Sequence, residues 1–193
     1  AILQFPGSNC DWDAEHAVMD VLGIPAKRIW HKSELPPETE AVIVPGGFSF
    51  GDYLRCGAIA QFSPIMKDLK EFSERGGSIL GICNGFQILC ESGLLPGALI
   101  RNDCIDFRCL NQPLKVEDSN DRFNINSLGE NLILPIAHGE GNYCADESTL
   151  SLLEEKDQVL LRYTGNPNGS INDIAGIRNS AGNVYGMMPH PER

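Results

Sequence analysis

The feature that most constrains the fold is an alternation between short apolar runs and longer segments whose apolar residues recur at helical spacing. In chain order, the predicted elements are strand 1–5, helix 11–22, strand 27–31, strand 41–44, helix 59–74, strand 78–82 and helix 84–92. Strands that are apolar along their whole length are typical of a parallel sheet covered by helices on both faces. The first half of the chain therefore predicts an α/β fold around a parallel sheet.

The second half differs in character. The runs 106–110, 114–117 and 122–125 are short and rich in polar residues, and they predict an antiparallel insertion or a sheet edge. The elements predicted beyond them are strand 132–137, helix 146–156 and strands 158–164, 174–178 and 184–188. No linker-like stretch divides the 193 residues, so we predict a single domain, 1–193.

Charge and cysteine content weigh against several classes of function. The chain has 15 Lys and Arg against 26 Asp and Glu, a formal net charge of −11. An acidic surface repels nucleic-acid phosphates and anionic membranes, so we predict neither partner. The seven cysteines are irregularly spaced and include no CxxC pair. This pattern indicates free thiols in a reducing cytoplasm rather than a disulfide framework or a structural zinc site.

The most informative motif joins a predicted strand to a predicted helix through a cysteine. The motif is Gly81-Ile82-Cys83-Asn84-Gly85, which is the cysteine form of a nucleophile elbow. A nucleophile at such a turn has a strained backbone, and flanking glycines leave space for it. The helix N-terminus would favour the reactive thiolate. We predict that Cys83 is a nucleophile; the alternative is a buried structural cysteine.

The end of the sequence supplies a base and a group to orient it. In Pro189-His190-Pro191-Glu192, each proline keeps the preceding residue extended. Because residues i and i+2 of an extended chain point the same way, we expect Glu192 to orient the imidazole of His190. A surface turn is one alternative. A metal site built from His138, Glu140 and this pair is another, but the metalloprotease spacing is absent, and we predict no metal site.

A glycine-rich loop, Pro45-Gly46-Gly47-Phe48, follows strand 41–44. Phe48 stands where a dinucleotide fingerprint has its second glycine, and no Lys-Ser/Thr pair of a phosphate loop follows. Glycine backbone N–H groups suit a developing oxyanion. We therefore predict an oxyanion-binding loop; the alternative is a plain turn.

Together and in this order, the Pro-Gly-Gly loop, the elbow with Gln87 four residues after its cysteine and the final His-Pro-Glu resemble class I, triad-type, glutamine amidotransferases. A more specific resemblance is to the small glutaminase subunits of phosphoribosylformylglycinamidine synthases. It rests on residues 5–11, 45–57, 83–89, 137–142 and 186–193. Residues 104–130 carry no signature of the family.

This resemblance implies a three-layer, flavodoxin-like sandwich and a defined chemistry. Cys83 would attack the carboxamide of glutamine and form a glutamyl thioester, while His190 would take the thiol proton and Glu192 would orient His190. The backbone N–H groups of Gly47 and Asn84 would hold the oxyanion. The residues implied to contact the substrate are Phe48, Gln87, His138 and Gly139.

The resemblance also implies a partner. The ammonia would pass to a synthetase subunit, for the ATP-dependent conversion of formylglycinamide ribonucleotide to formylglycinamidine ribonucleotide in purine synthesis. This chain has no phosphate-binding motif, so ATP and Mg²⁺ are expected on the synthetase and no cofactor on this chain. A further small accessory subunit is left open. Two other functions also stay open, a related Cys–His γ-glutamyl hydrolase and a non-catalytic regulatory subunit.

Overall fold

The computed structural model describes residues 1–117 and 129–193. Its strands are β1 Ile2–Gln4, β2 Arg28–Trp30, β3 Ala41–Val44, β4 Ser78–Ile82, β5 Ala98–Ile100, β6 Arg108–Val116, β7 Asn131–His138, β8 Asn142–Cys144, β9 Val159–Tyr163, β10 Ile174–Arg178 and β11 Val184–Met187. Its α-helices are α1 Asp11–His16, α2 Ile65–Glu74, α3 Asn84–Glu91 and α4 Glu147–Glu155. A π-helical segment, Ala17–Val21, continues α1. In this part of the chain, no helix is long and apolar enough to cross a bilayer.

Within these residues, nine strands form one sheet in the order β2-β1-β3-β4-β11-β10-β9-β6-β7. The strands from β2 to β11 run parallel to their neighbours. From β11 onward the pairing is antiparallel. The strands β5 and β8 form a separate, small antiparallel pair. The predicted α/β fold, with its parallel sheet and small antiparallel part, is confirmed.

Three parallel strands bring their carboxyl ends to one edge of the sheet. In the registers of β3, β4 and β11, Val44 pairs with Gly81, and Met187 pairs with Ile82. The loops that follow these strands therefore start side by side, as is usual for ligand sites in open α/β sheets. The buried helix α3 packs against all three strands. This edge holds the glycine loop, the cysteine elbow and the His-Pro-Glu segment together.

One helix begins later in the chain than the sequence predicts, and the cause is local. The helix predicted at 59–74 begins only at Ile65, after a 3-10 turn at Ala60–Phe62. Ser63, which precedes Pro64, has an extended backbone with φ −67° and ψ 142°, because a following proline disfavours the helical region.

The polar runs predicted at 106–110 and 114–117 lie largely in one strand, β6, which pairs antiparallel with β7 at the edge of the main sheet, as the sheet-edge alternative predicted. In its second half, Gln112, Leu114 and Val116 are buried while Pro113 and Lys115 are exposed. This period of two is typical of a strand with one buried and one solvent-exposed face. The third run, 122–125, lies outside the described residues.

Candidate active site

Cys83 occupies the elbow between β4 and α3. Its φ of 51° and ψ of −107° lie in a region that non-glycine residues rarely adopt. The backbone N–H of Cys83 donates to the carbonyl of Met187 at 2.7 Å, which ties the elbow to the end of β11. The thiol is buried, and its Sγ lies 3.7 Å from the carbonyl oxygen of Ala137.

The protonation state of Cys83 differs from the sequence prediction. Burial, the dominant effect, raises the pKa of the thiol well above its ordinary value, and the backbone N–H of Asn84 lowers it by less. Desolvation therefore outweighs the helix N-terminus. At neutral pH the resting group is a neutral thiol, which needs a base before it can act as a nucleophile.

His190 and Glu192 form a buried pair beside the elbow. The Nδ1 atom of His190 lies 2.7 Å from Oε1 of Glu192, and the two side chains are 3% and 4% exposed. The backbone N–H of His190 donates to the carbonyl of Pro135 at 2.9 Å. A carboxylate on Nδ1 stabilises the tautomer whose Nε2 accepts a proton. This Nε2 is buried and has no hydrogen-bond partner among the described residues.

Gly46 brings the cysteine and the histidine together. A Cβ atom built on Gly46 would lie 2.9 Å from Cε1 of His190 and 3.4 Å from Cβ of Cys83. The glycine loop therefore packs directly on both side chains, and a larger residue at this position would push them apart.

Gly47 and Asn84, the predicted oxyanion groups, lie on neighbouring segments of backbone. Gly47 has a φ of 122°, and a Cβ there would lie 2.6 Å from the backbone nitrogen of Asn9. The backbone N–H of Ser49 donates to Oδ1 of Asn84 at 3.0 Å, which ties the glycine loop to the first residue of α3. The arrangement is compatible with a shared oxyanion site, and the oxyanion role of the two residues stays a prediction.

Gln87 connects three parts of the site. Its Nε2 donates to the carbonyl of Glu140 at 2.6 Å, and its Oε1 accepts from Nδ2 of Asn84 at 2.9 Å. The structure thus brings Gln87 together with the end of β7 and the turn after it, which carry His138 and Gly139. Phe48 is 46% exposed at the rim of the glycine loop.

His138 is a buried neutral imidazole. Burial, followed by the nearby His190, lowers the pKa of His138 to about 4. Its Nε2 lies 3.5 Å from Nδ2 of Asn168. A neutral ring can offer a substrate one donor and one acceptor without adding charge to the site.

Sequence reasoning missed the groups that hold the turn after β7. Asn102 donates to the carbonyl of His138 at 2.9 Å and accepts from the N–H of Gly141 at 2.9 Å. Asn168 donates to the carbonyl of Gly141 at 2.8 Å. The carboxylate of Glu140 accepts from the N–H of Cys56 at 3.0 Å. These residues are far apart in the chain, and no spacing rule in the sequence connects them.

Substitution of Gly85 by alanine is expected to destabilise the fold by about 3 kcal/mol or more. The added Cβ would overlap the carbonyl oxygen of Val44, and neither backbone can move without disturbing the elbow. Alanine favours a helix over glycine by about 1 kcal/mol, so a lower free energy of unfolding can be attributed to this overlap. The measurement is the free energy of unfolding in urea.

Gly139→Ala is the matched control, because a Cβ there would make an ordinary 3.7 Å contact with Phe107. We expect it to change the free energy of unfolding by less than about 1 kcal/mol. Equal stabilities of the two variants would show that the packing of Gly85 against β3 is not needed.

The fold and the site define a class of protein. The family profile described as the CobB/CobQ-like glutamine amidotransferase domain matches residues 1–193, and the chain belongs to this family. The chain is 54% identical, over 202 residues, to phosphoribosylformylglycinamidine synthase subunit PurQ of Salinibacter ruber (strain DSM 13855 / M31). That alignment covers 100% of this chain and 86% of the relative.

Solved structures show the same relationship. A chain of the PurLQS structure from Thermotoga maritima is 44% identical, with a TM-score of 0.90 over 100% of this chain and 86% of that chain. A glutamine amidotransferase from Thermotoga maritima shares the fold, with a TM-score of 0.67 at 16% identity, over 99% of this chain and 75% of that chain.

Proposed function

We propose that this chain is the glutaminase subunit of a phosphoribosylformylglycinamidine synthase. It hydrolyses L-glutamine to glutamate and ammonia and delivers the ammonia to a synthetase subunit. The observation that carries the proposal is the buried hydrogen bond of 2.7 Å between His190 and Glu192 beside the cysteine elbow. The 54% identity to subunit PurQ and the match to a PurLQS chain support the particular synthase.

The first half of the reaction breaks the carboxamide. The thiol proton of Cys83 moves to Nε2 of His190, and Sγ attacks the side-chain carbonyl carbon of glutamine. The N–H groups of Gly47 and Asn84 hold the resulting oxyanion, and each donor of this kind contributes about 3 kcal/mol. His190 then returns its proton to the leaving nitrogen, so ammonia departs and a glutamyl thioester remains.

The second half regenerates the enzyme. His190 takes a proton from water, the water oxygen attacks the thioester carbon, and Sγ leaves with that proton as glutamate is released. Glu192 stabilises the imidazolium that forms in each half. The high pKa of the buried Cys83 thiol means that the thiol keeps its proton until His190 takes it.

The synthetase partner carries the remaining chemistry. The acidic chain, with its net charge of −11, has no phosphate-binding motif. ATP, Mg²⁺ and formylglycinamide ribonucleotide therefore bind to the synthetase, and residues 1–193 act as a single amidotransferase unit without a cofactor of their own. We place the complex in the cytoplasm, where purine synthesis would use it. Because free ammonia would escape into water, we expect low glutaminase activity in the isolated chain and higher activity in the complex.

Labelling with a diazo-ketone analogue of glutamine tests the proposal. The full chain is treated with and without the synthetase, with excess glutamine as competitor, and the labelled residue is mapped by mass spectrometry. We expect one glutamine-protected label, at Cys83, that increases in the presence of the synthetase. Cys90→Ser, which removes another buried thiol, should label like the unmodified chain.

Failure of this experiment has a clear meaning. No protected label at Cys83 in either sample would contradict the glutaminase assignment. Turnover of γ-glutamyl peptides without any synthetase would point instead to a γ-glutamyl hydrolase.

A further inference from the structure

A third metal-binding group lies beside the His190–Glu192 pair, and the proposed reaction does not use it. Cys10, the residue before α1, is a free thiol that is 3% exposed. Its Sγ, one ring nitrogen of His190 and one carboxylate oxygen of Glu192 all lie within 4.8 Å of one another. The backbone N–H of Cys10 donates to the carbonyl of Gly46 at 3.4 Å, so the glycine loop holds this thiol next to the pair.

The three groups match the donors that Zn²⁺ prefers. Thiolate, imidazole and carboxylate bind this ion at about 2.0–2.3 Å, and three protein ligands leave a fourth position for water. Ligands of a tetrahedral ion are therefore about 3.5 Å apart, and the three groups already lie within 4.8 Å of one another. Mg²⁺ and Ca²⁺ prefer oxygen ligands and would not select a thiolate.

One oxygen of the pair has no partner that the proposed reaction supplies. Oε2 of Glu192 is buried and has no hydrogen-bond partner in residues 1–117 and 129–193, whereas the free Nε2 of His190 is the base of that reaction. Buried polar atoms without partners are costly. Coordination of an ion would satisfy such an atom.

The charges around Cys10 are also compatible with a divalent cation. The guanidinium of Arg193 donates to Sγ of Cys10 at 3.2 Å and to the carboxylate of Asp13 at 2.8 Å. Besides Arg193, the charged groups that act on Cys10 are the carboxylates of Glu192, Asp13 and Asp11, so negative charge outweighs positive charge around this thiol. The Arg193 donor can stay in place, because a metal-bound ligand commonly keeps an outer hydrogen bond.

We propose that Cys10, His190 and Glu192 form a Zn²⁺ site whose occupation stops glutamine hydrolysis. Coordination through Nε2 occupies the lone pair that Cys83 needs, and coordination through Nδ1 leaves the proton of the neutral ring on Nε2, which then cannot accept another. Either geometry leaves the thiol of Cys83 without a general base. The inhibition rests on the proposed function, whereas the binding of the ion does not.

Metal binding is tested first in a Cys83→Ser background of the full chain, which removes the nucleophile and keeps all three proposed ligands. We expect calorimetry to show one Zn²⁺ per chain, and Co²⁺ to give a thiolate-to-cobalt charge-transfer absorption. Adding Cys10→Ser should weaken Zn²⁺ binding at least about tenfold and remove that absorption. Adding Cys56→Ser, which removes a different buried thiol, should change neither.

Two results would overturn the site. One is Zn²⁺ binding that survives Cys10→Ser unchanged. The other is binding in the unmodified chain that disappears with Cys83→Ser, which would place the ion on the nucleophile. Cys10→Ala serves as a second variant, and thermal unfolding verifies that both Cys10 variants are folded.

Inhibition is tested next in the complex with the synthetase. We expect Zn²⁺ to suppress synthesis from glutamine more strongly than synthesis from ammonium salts, and Cys10→Ser to need at least about ten times more Zn²⁺ for the same effect. Bound Zn²⁺ without this difference would overturn the inhibitory role. If the chain proves not to be a glutaminase, the binding measurements with Cys83→Ser still test the metal site by themselves.

Discussion

Replacement of Cys83 by alanine is expected to abolish synthesis from glutamine and to preserve synthesis from ammonium salts, when the chain is bound to its synthetase. Loss of a catalytic nucleophile lowers kcat by factors of about 10⁶ in a well-studied triad enzyme, so a loss of at least ~10³-fold is expected here. Added ammonium salts supply the ammonia that Cys83 would otherwise release from glutamine, so the synthetase can still form its product. The measurement is the rate of product formation with each nitrogen source.

Cys90→Ala is the matched control for this experiment. Cys90 is a buried thiol on the same helix, α3, but its Sγ contacts the carbonyl of Pro96 at 3.7 Å, away from His190. We expect this variant to keep both activities. If Cys83→Ala kept its rate with glutamine, the elbow would be structural and the chain would serve as a regulatory subunit.

Replacement of Glu192 by glutamine is expected to lower kcat for glutamine by about 10³–10⁴-fold, with little change in KM. The amide has nearly the shape of the carboxylate, so the contact with Nδ1 of His190 can persist. It lacks the negative charge that stabilises the imidazolium, and when its NH₂ group faces the ring it selects the wrong tautomer. Because the Glu192 side chain is only 4% exposed, water cannot replace that charge.

Steady-state kinetics of the complex measure this effect. Glu155→Gln, at the exposed end of α4, makes the same chemical change far from the pair and should leave kcat unaltered. A normal kcat in Glu192→Gln would mean that His190 needs no charged partner. If kcat for glutamine and the rate of ammonia-dependent synthesis fell equally, the variant would have a folding or docking defect instead.

Much of the parallel half of the fold could be predicted from local patterns. The strands Ala41–Val44 and Ser78–Ile82 have the predicted bounds, because continuous apolar runs between turn residues have few alternatives. The strained cysteine was also predictable, since a strand that meets a helix through Gly-x-Cys-x-Gly leaves its central residue little choice of backbone. The contact of His190 with Glu192 follows from extended geometry enforced by two prolines.

Other features needed the tertiary structure. The strands β5 and β8 are only three residues each, too short for a periodic signal. The sequence did not show that the polar runs 106–110 and 114–117 join in one strand, β6, because the alternation of this strand becomes visible only when one face is known to be buried. Burial also raises the pKa of the Cys83 thiol, whereas a helix N-terminus alone would lower it.

The sequence by itself determined the α/β class, the cysteine elbow and the pairing of His190 with Glu192, since each depends on neighbours within a few residues. Only the tertiary structure placed Cys10 beside that pair and closed the turn after β7 with Asn102 and Asn168. These contacts join residues far apart in the chain, and their positions follow from the order of the strands. The physical reason is that secondary-structure propensity and residue spacing act over a few neighbouring residues. The burial of a site and the charge around it depend on every segment that packs there.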